Sequence, residues 1–229
     1  MVLSNLVHDT AQSGLFTEVD HGPSVLANNI FLAPASSIRH NSAGNAYAHN
    51  LATGAVGNMG PDSRNTPVLV PHATDIARVV RAVNGDHRLY NNLMVAPSGG
   101  WKPLDPDYLP CFGAGNVYTG NGSAPSKYES GALVLPGFAA GVALTQEGSA
   151  WFLTLSTDAQ WARAAPHPLV TTALLGNASA PAQPYTLPNG SAFAVDVDYF
   201  GRARDAAAPF PGPFEASGAG MRLQVWPRV

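Results

Sequence analysis

The sequence has very little of several residue types, and each shortage excludes a class of protein. A single cysteine, Cys111, cannot form an internal disulfide and has no second thiol with which to share a metal ion. We therefore expect Cys111 to be buried in packing. Two lysines in the whole chain and a net charge of -3 leave no basic patch of the kind that neutralises phosphates. Nucleic acid is accordingly excluded as an expected partner.

Long apolar runs are also missing. No stretch approaches the ~20 apolar residues that a membrane-spanning helix needs, so we expect no membrane partner. The first residues, Met1 to Gln12, have neither the basic flank nor the apolar stretch of a signal peptide. A repeat begins close to Met1, so an upstream targeting segment could precede it, and the sequence leaves the localisation open.

The abundant residues favour an all-β fold. The chain has 23 glycines and 20 prolines among 229 residues, and only 12% of its residues are charged. This mixture suits many short strands and turns better than long helices. Hydrophobic residues make up 45% of the chain, enough to bury a core in one domain or in two small ones.

An asparagine followed by an aliphatic residue recurs along the first half of the chain. The repeats begin at Asn5, Asn29, Asn50, Asn92 and Asn116, and their gaps are 24, 21, 42 and 24 residues. One or two units of 21 to 24 residues fit the coils of a parallel β-helix. Asparagines stacked ~4.8 Å apart can bond to each other at one corner while the aliphatic residues fill the interior. We interpret these asparagines as structural.

The pattern changes after the last repeat, which divides the chain in two. We predict parallel β-helix coils over residues 1–135, interrupted by an inserted loop near residues 54–84. For residues 136–229 we predict a small antiparallel β-sandwich subdomain. Its signals are a hairpin around Gly148-Ser149 and further strands at Ala192 to Asp198 and Met221 to Trp226.

The first candidate for chemistry is the polar segment that ends in Gly22-Pro23. Strand alternation puts Glu18 and Asp20 on one face, with Cα atoms ~6.5 to 7 Å apart, and His21 follows them. Two carboxylates at this distance can flank a glycosidic bond, with one pKa raised by the other. The structural alternative is an ordinary solvated pair of acids.

A second group of polar residues lies around the predicted loop. Its members are Arg64, His72, Asp75, Asp86, His87 and Arg88. Each of them alone is more often a loop residue or a satisfied polar side chain than a ligand. Of this group, we take Arg64, His72 and Arg88, together with His21, as candidate substrate contacts.

Several longer motifs resemble a known family. They are Glu18-Val19-Asp20-His21-Gly22-Pro23, Asn28-Asn29-Ile30-Phe31, Ala46-Tyr47-Ala48-His49-Asn50-Leu51, Arg64-Asn65-Thr66-Pro67, Gly85-Asp86-His87-Arg88 and, in the tail, Asp196-Val197-Asp198-Tyr199-Phe200-Gly201 and Pro211-Gly212-Pro213-Phe214-Glu215. These segments resemble the later coils and the carboxy-terminal extension of the β-helical glycoside hydrolases of family 120, the β-xylosidases. The resemblance implies a right-handed parallel β-helix and the hydrolysis of terminal xylosyl or similar glycosidic bonds.

The resemblance also implies roles for single residues. Asp20 corresponds to the nucleophile of a retaining mechanism, and the family's acid/base glutamate is expected one coil later. Counting 23 residues on from Asp20 gives Ala43, so this chain departs from the family at the acid. Alanine cannot protonate a leaving group, and losing general acid catalysis typically costs ~10² to 10⁴ in rate. Glu18 is then the remaining candidate acid.

Four functions compete on the sequence alone. The first is a β-xylosidase-like glycosidase acting on an oligosaccharide or glycoside, either as a fragment or with upstream coils supplied separately. The second is a carbohydrate-binding pseudoenzyme that lacks the general acid. A β-helical uronate lyase and a purely structural β-helix follow. We expect no cofactor and no metal, and a homo-oligomer stays open.

Overall fold

Most of the chain consists of short strands joined by tight turns. The computed structural model describes residues 1–33, 35–60, 62–95 and 99–228. The strands are β1 (Val2–Leu3), β2 (Leu6–His8), β3 (Ser13–Glu18), β4 (Ser24–Ala27), β5 (Ile30–Leu32), β6 (Ser36–Asn41), β7 (Asn45–Ala48), β8 (Leu51–Ala52), β9 (Ala55–Asn58), β10 (Asn65–Leu69), β11 (Ile76–Arg81), β12 (Arg88–Tyr90), β13 (Leu93–Val95), β14 (Phe112–Ala114), β15 (Val117–Thr119), β16 (Glu129–Ser130), β17 (Leu133–Leu135), β18 (Ala143–Glu147), β19 (Ala150–Leu155), β20 (Asn177–Ala178), β21 (Gln183–Pro184) and β22 (Met221–Trp226). The helices are single turns: a 3₁₀ helix at Lys102–Leu104, α1 (Trp161–Ala164) and α2 (Thr172–Leu175). None of the helices within the described ranges has the length and apolar character to span a bilayer.

Three parallel sheets form the first part of the chain. Their strand orders are β1-β4-β7-β12-β14-β16, then β2-β5-β8-β13-β15-β17, and β3-β6-β9. Each strand pairs in parallel with its equivalent from the neighbouring coil, as in the pairing of β4 with β7 and of β5 with β8. The predicted parallel β-helix is therefore confirmed.

Inward-facing side chains from the coils form a single apolar core. Leu26, Tyr47 and Leu89 come from successive strands of the first sheet, where they lie side by side. Cys111 belongs to this core and is 3% exposed, which confirms it as a packing residue. Trp101, just before the 3₁₀ helix, lies in the same core.

The repeated asparagines stack at one corner of the coils, as predicted. The side-chain amide of each one donates to the Oδ1 of the next at 2.9 to 3.0 Å, from Asn5 through Asn29, Asn50 and Asn92 to Asn116. The same Oδ1 atoms also accept the backbone N–H of the preceding asparagine. Each amide thus satisfies buried backbone and side-chain groups at once, which explains the repeat in the sequence.

The segment predicted as a loop near residues 54–84 contains regular structure. It begins with β9, which belongs to the third parallel sheet, and continues as an antiparallel hairpin of β10 and β11. We call this hairpin, residues 65–81, the arm. In place of the predicted loop, this part of the chain forms a β-hairpin that projects from the coils.

The tail adds an antiparallel sheet of β18, β19 and β22. The hairpin around Gly148 and the strand at Met221–Trp226 are confirmed. Residues 192–198 form only isolated bridges, so the strand predicted there is wrong. Leu153 and Val225 of the antiparallel sheet share a core with Ile30 and Leu51, so this sheet packs on the outer side of the second parallel sheet.

A second contact joins the tail to the first parallel sheet. Val170, Leu175 and Tyr185 pack against Ala46 and Ala48, which alternate with the inward-facing residues of β7. Small alanines at these outward positions let the tail approach the coils closely. The tail therefore covers two faces of the β-helix and borders the corner described next.

Candidate functional site

Asp20 lies at a corner where successive coils are stacked. The N–H of Ala43 donates to the carbonyl oxygen of Asp20 at 3.0 Å, and Ala43 in turn bridges Gly85 of the following coil. The predicted placement of Asp20 and Ala43 on neighbouring coils is therefore confirmed. Ala43 is 1% exposed and belongs to none of the three apolar clusters.

Glycine is required at position 22 to shape this corner. Gly22 has φ +63°, and a Cβ there would lie 2.1 Å from the carbonyl oxygen of Gly44. The close approach of the two coils therefore excludes any side chain. The N–H of Gly22 donates to Oδ1 of Asp20 at 3.0 Å, which fixes the orientation of the carboxyl group.

The surroundings of Asp20 change its ionisation. Burial raises the pKa of the Asp20 carboxyl to about 6, while hydrogen bonds from the Gly22 N–H and the Asn45 side chain lower it. Desolvation outweighs the two donors because it disfavours the charged form. The group is therefore close to half ionised near pH 6 and mostly ionised at neutral pH.

Asp20 opens into a pocket of ≈ 370 Å³. The arm supplies one wall and the tail another, and the lining includes Asp20, His21, Thr66, Leu69, Pro181 and Gln183. Ligand pockets typically measure about 300 to 1,000 Å³, so this one suits a small ligand. Of the described residues that line it, Asp20 alone carries a carboxyl group.

His21 connects the coil to the arm. Its Nε2 is hydrogen-bonded to Oγ1 of Thr66, and its Nδ1 has no partner among the described protein atoms. Burial lowers the pKa of the ring, so His21 is neutral at pH 7. The structure places His21 in the pocket beside Asp20, with one nitrogen committed to holding the arm in place.

Glu18 points to a different environment from Asp20. β3 ends at Glu18, and Val19 has φ +54°, so the strand alternation that predicts a shared face does not extend to Asp20. The exposed carboxylate of Glu18 pairs with Arg64 at 2.6 Å, and Arg64 also pairs with Asp62 at 2.7 Å. Glu18 is absent from the pocket lining, so it does not share a face with Asp20 as predicted, and Arg64, a candidate substrate contact, also lies outside this lining.

Arg88 has a structural position instead of a substrate-facing one. The guanidinium is buried, pairs with Asp86 at 2.8 Å, and donates to the carbonyl oxygens of Leu175 and Asn177 in the tail. Asp86 also accepts the N–H of Ser179. These bonds hold the tail against the coils, so the predicted substrate contact of Arg88 is replaced by a structural role.

His72 lies at the tip of the arm, outside the Asp20 pocket. Its Nε2 is 3.4 Å from Oγ1 of Thr186 in the tail. It lines an adjoining pocket of ≈ 340 Å³ that shares Pro23 and Gln183 with the first one. The structure thus places His72 one pocket away from Asp20.

Sequence reasoning missed a polar cluster inside the coils. Ligating atoms of His40, His87 and Asp107 all lie within 4.8 Å of one another. Burial keeps both imidazoles neutral by holding the pKa of His40 well below its usual value and that of His87 at about 3. Burial also raises the pKa of Asp107 to about 6. In the sequence, His87 lies among other polar residues and could be noticed there. His40 and Asp107 are distant from it in the sequence and are brought near it only by the register of the coils.

Comparison with known proteins identifies a solved structure that has the same fold as this chain. No family model matches the chain, and no curated protein matches it. The solved structure of XylC in complex with xylose superposes with a TM-score of 0.89 at 24% sequence identity. The match covers 98% of this chain and 39% of that of XylC, so the chain spans well under half of the neighbour's length. The likeness shows that the two share the parallel β-helix fold.

Proposed function

We propose that this chain binds a glycoside of xylose or of a similar sugar in the Asp20 pocket. The observation that carries the proposal is the carboxyl of Asp20, which is held by Gly22 and is the only carboxyl among the described residues that line a ≈ 370 Å³ pocket. Support comes from the fold shared with XylC, whose structure contains xylose, and from the resemblance of the Asp20 segment to the family 120 motif.

The chemistry that fits this pocket is nucleophilic attack by Asp20. The ionised carboxylate attacks the anomeric carbon, forming a covalent glycosyl ester while the electron pair of the glycosidic bond leaves with the oxygen of the aglycone. Ala43, where the family has its acid, supplies no proton to that oxygen. The favoured substrates are therefore glycosides of acidic phenols, which leave as stable anions.

The lack of a base at position 43 affects the second step as well. Hydrolysis of the glycosyl ester needs a water molecule from which a base removes a proton. Without that base the ester accumulates, and an anion such as azide, which needs no deprotonation, is expected to release it as a glycosyl azide.

A second candidate function is sugar binding without turnover. Ala43 favours it, because natural glycosides leave poorly without a proton. In that case His21 and the backbone around Gly22 serve as sugar contacts and Asp20 accepts a hydrogen bond from a sugar hydroxyl.

One labelling experiment separates the candidates. The chain is incubated with 2,4-dinitrophenyl 2-deoxy-2-fluoro-β-xyloside, and intact mass spectrometry detects one fluoroxylosyl group per chain. Asp20→Asn is expected to abolish labelling, while the matched control Glu18→Gln retains it because Glu18 lies outside the pocket. Binding of methyl β-xyloside by calorimetry without any adduct supports the second candidate, and neither binding nor adduct would refute both.

A further inference from the structure

The cluster inside the coils has the composition of a metal site. His40 lies on β6, His87 just before β12, and Asp107 in the turn after the 3₁₀ helix, so three stretches of chain contribute one side chain each. Both histidines are fully buried, and the ligating atoms of the three groups lie within 4.8 Å of one another. A parallel β-helix interior is normally filled by apolar side chains, so this polar set needs a physical explanation.

Four atoms of the cluster have no hydrogen-bond partner among the described protein atoms. They are Nδ1 and Nε2 of His40, Nε2 of His87 and Oδ2 of Asp107. Buried nitrogen and oxygen atoms without partners are rare, because each loses its hydration without compensation. These four are among thirteen such buried atoms in the described part of the chain, and a single ligand between the three side chains would satisfy them together.

A chain of side-chain hydrogen bonds orients the carboxylate of Asp107. Its Oδ1 accepts from the side-chain amide of Asn58, whose own Oδ1 accepts from Asn84 at 3.0 Å. This leaves Oδ2 as the free oxygen of Asp107. Hydrogen bonds that fix one oxygen of a carboxylate and leave the other free are the outer support that metal ligands commonly have.

We propose that His40, His87 and Asp107 bind a divalent transition metal ion, with Zn²⁺ as the reference ion. Two neutral imidazole nitrogens and one carboxylate oxygen match the preference of Zn²⁺ and of Fe²⁺, with a fourth position left for water. The ion offsets the charge of a half-buried carboxylate and bonds to atoms that otherwise lack partners.

The geometry requires a small contraction. Ligand atoms ~2.0 to 2.1 Å from a tetrahedral ion lie about 3.3 Å apart, so a pair at the 4.8 Å limit must approach by about 1.5 Å. The rings of His40 and His87 are stacked, with centroids 4.9 Å apart and planes 23° apart, so at least one ring must turn for their nitrogens to converge on one ion. The N–H of Asn45 faces Nδ1 of His87 at 3.3 Å, so binding at Nε2 also requires the His87 ring to turn and to carry its proton on Nδ1.

Asp107 connects the cluster to the surface, whereas both histidines are fully buried. A separate pocket of ≈ 460 Å³ opens beside Asp107 and is lined by Asn58, Asn84, Pro103, Pro106 and Tyr108. It shares no lining residue with the Asp20 pocket. The two sites nevertheless meet at Asn45, whose side chain bonds Asp20 and whose N–H faces Nδ1 of His87.

The test uses Co²⁺, which reports its ligands through visible absorption. The chelator-treated chain is titrated with Co²⁺, and one equivalent is expected to produce ligand-field bands of a four- or five-coordinate ion. His40→Gln and Asp107→Asn should each weaken binding at least tenfold. His8→Ala removes a histidine on the outside of the first coil and should leave the titration unchanged.

Nitrogen NMR of the wild-type chain tests the proposal even if a variant fails to fold. Addition of Zn²⁺ is expected to shift the ring nitrogens of His40 and His87 together and to place the His87 proton on Nδ1. A folded chain in which neither ring responds to millimolar Zn²⁺ would overturn the proposal.

Discussion

The hydrogen bond from the N–H of Ala43 to the carbonyl oxygen of Asp20, 3.0 Å long, fixes these two residues on adjacent coils. Adjacent parallel strands lie ~4.8 Å apart, and the two carboxyls of retaining glycosidases lie ~5 to 5.5 Å apart. A carboxyl group at position 43 would therefore start from a backbone about one strand spacing from that of Asp20, although Ala43 itself does not line the Asp20 pocket. Because Ala43 is buried, its surroundings would also raise the pKa of that group, as general acid catalysis needs.

Ala43→Glu is accordingly expected to raise hydrolysis of aryl xylosides with poor leaving groups by about 100-fold. Dinitrophenyl xyloside should respond least, because its leaving group needs no proton. Release of the phenol is followed by absorbance. The control Ala43→Gln has the same size but no proton to give, and equal rates for both variants would contradict the assignment, as would activity that survives Asp20→Asn.

The pKa of Asp20 predicts how labelling depends on pH. The attacking form is the ionised carboxylate, and its pKa is about 6. The rate of adduct formation should therefore be low at pH 4.5, rise through pH 6, and level off above pH 7. Glu18→Gln should leave this profile in place. A rate that is flat across this range would show that Asp20 is not the group being labelled.

The raised pKa of Asp20 also makes the folded protein less stable as the pH rises. Between the unfolded value of 3.8 and the folded value of about 6, the folded state binds more protons than the unfolded state, so stability falls as pH rises. Asp20→Asn removes this cost. The variant should be more stable than the wild type by about 1–2 kcal/mol at pH 7.5, with the difference vanishing near pH 4. Urea unfolding at both pH values measures it, and a difference independent of pH would contradict the shift.

Arg88 is expected to matter for stability more than for ligand binding. Arg88→Met leaves the buried Asp86 without its cation and two tail carbonyls without donors, which should cost about 3–5 kcal/mol. Denaturant unfolding provides the measurement. The double variant Asp86→Asn with Arg88→Met should recover part of the loss, since it leaves no unpaired charge. A single variant that unfolds like the wild type would refute the structural role.

The asparagine ladder allows a matched comparison between its middle and its end. Asn50→Ala removes the acceptor for the N–H and amide of Asn29 and the donor to Leu26, all of them buried. A loss of about 2–4 kcal/mol is expected from these unpaired groups. Asn5→Ala, at the exposed first rung, should cost less than about 1 kcal/mol. Equal losses at the two positions would show that burial does not set the contribution of a rung.

The ladder was predictable because one residue type recurs at the spacing of a coil and serves the same bonds each time. The arm was not, since β11 is exposed along most of its length and shows no apolar alternation. The strand β11 is defined by its antiparallel pairing with β10, which the sequence of β11 alone does not reveal. The strand predicted at residues 192–198 does not form, because Phe193 and Val195 pack against the coils within an irregular segment.

At the candidate site, the sequence identified Asp20 through a motif, but it could not give the direction of Glu18. That direction depends on the left-handed backbone of Val19, a conformation that a β-branched residue seldom adopts. The meeting of His40, His87 and Asp107 depends on the lengths of the intervening coils and of the arm. Those lengths determine register in three dimensions, which local patterns do not encode.

The rungs of the ladder are separated by 24, 21, 42 and 24 residues, yet the amide bonds between them stay at 2.9 to 3.0 Å. The hydrogen bonds between the asparagines therefore align the coils at this corner whatever the length of each coil. The other side of a coil can be longer without disturbing these bonds. The arm occupies the longest of these intervals and forms a wall of the Asp20 pocket. Exchange of the arm alone would therefore reshape one wall of this pocket while the ladder, and the coils that it aligns, stay as they are.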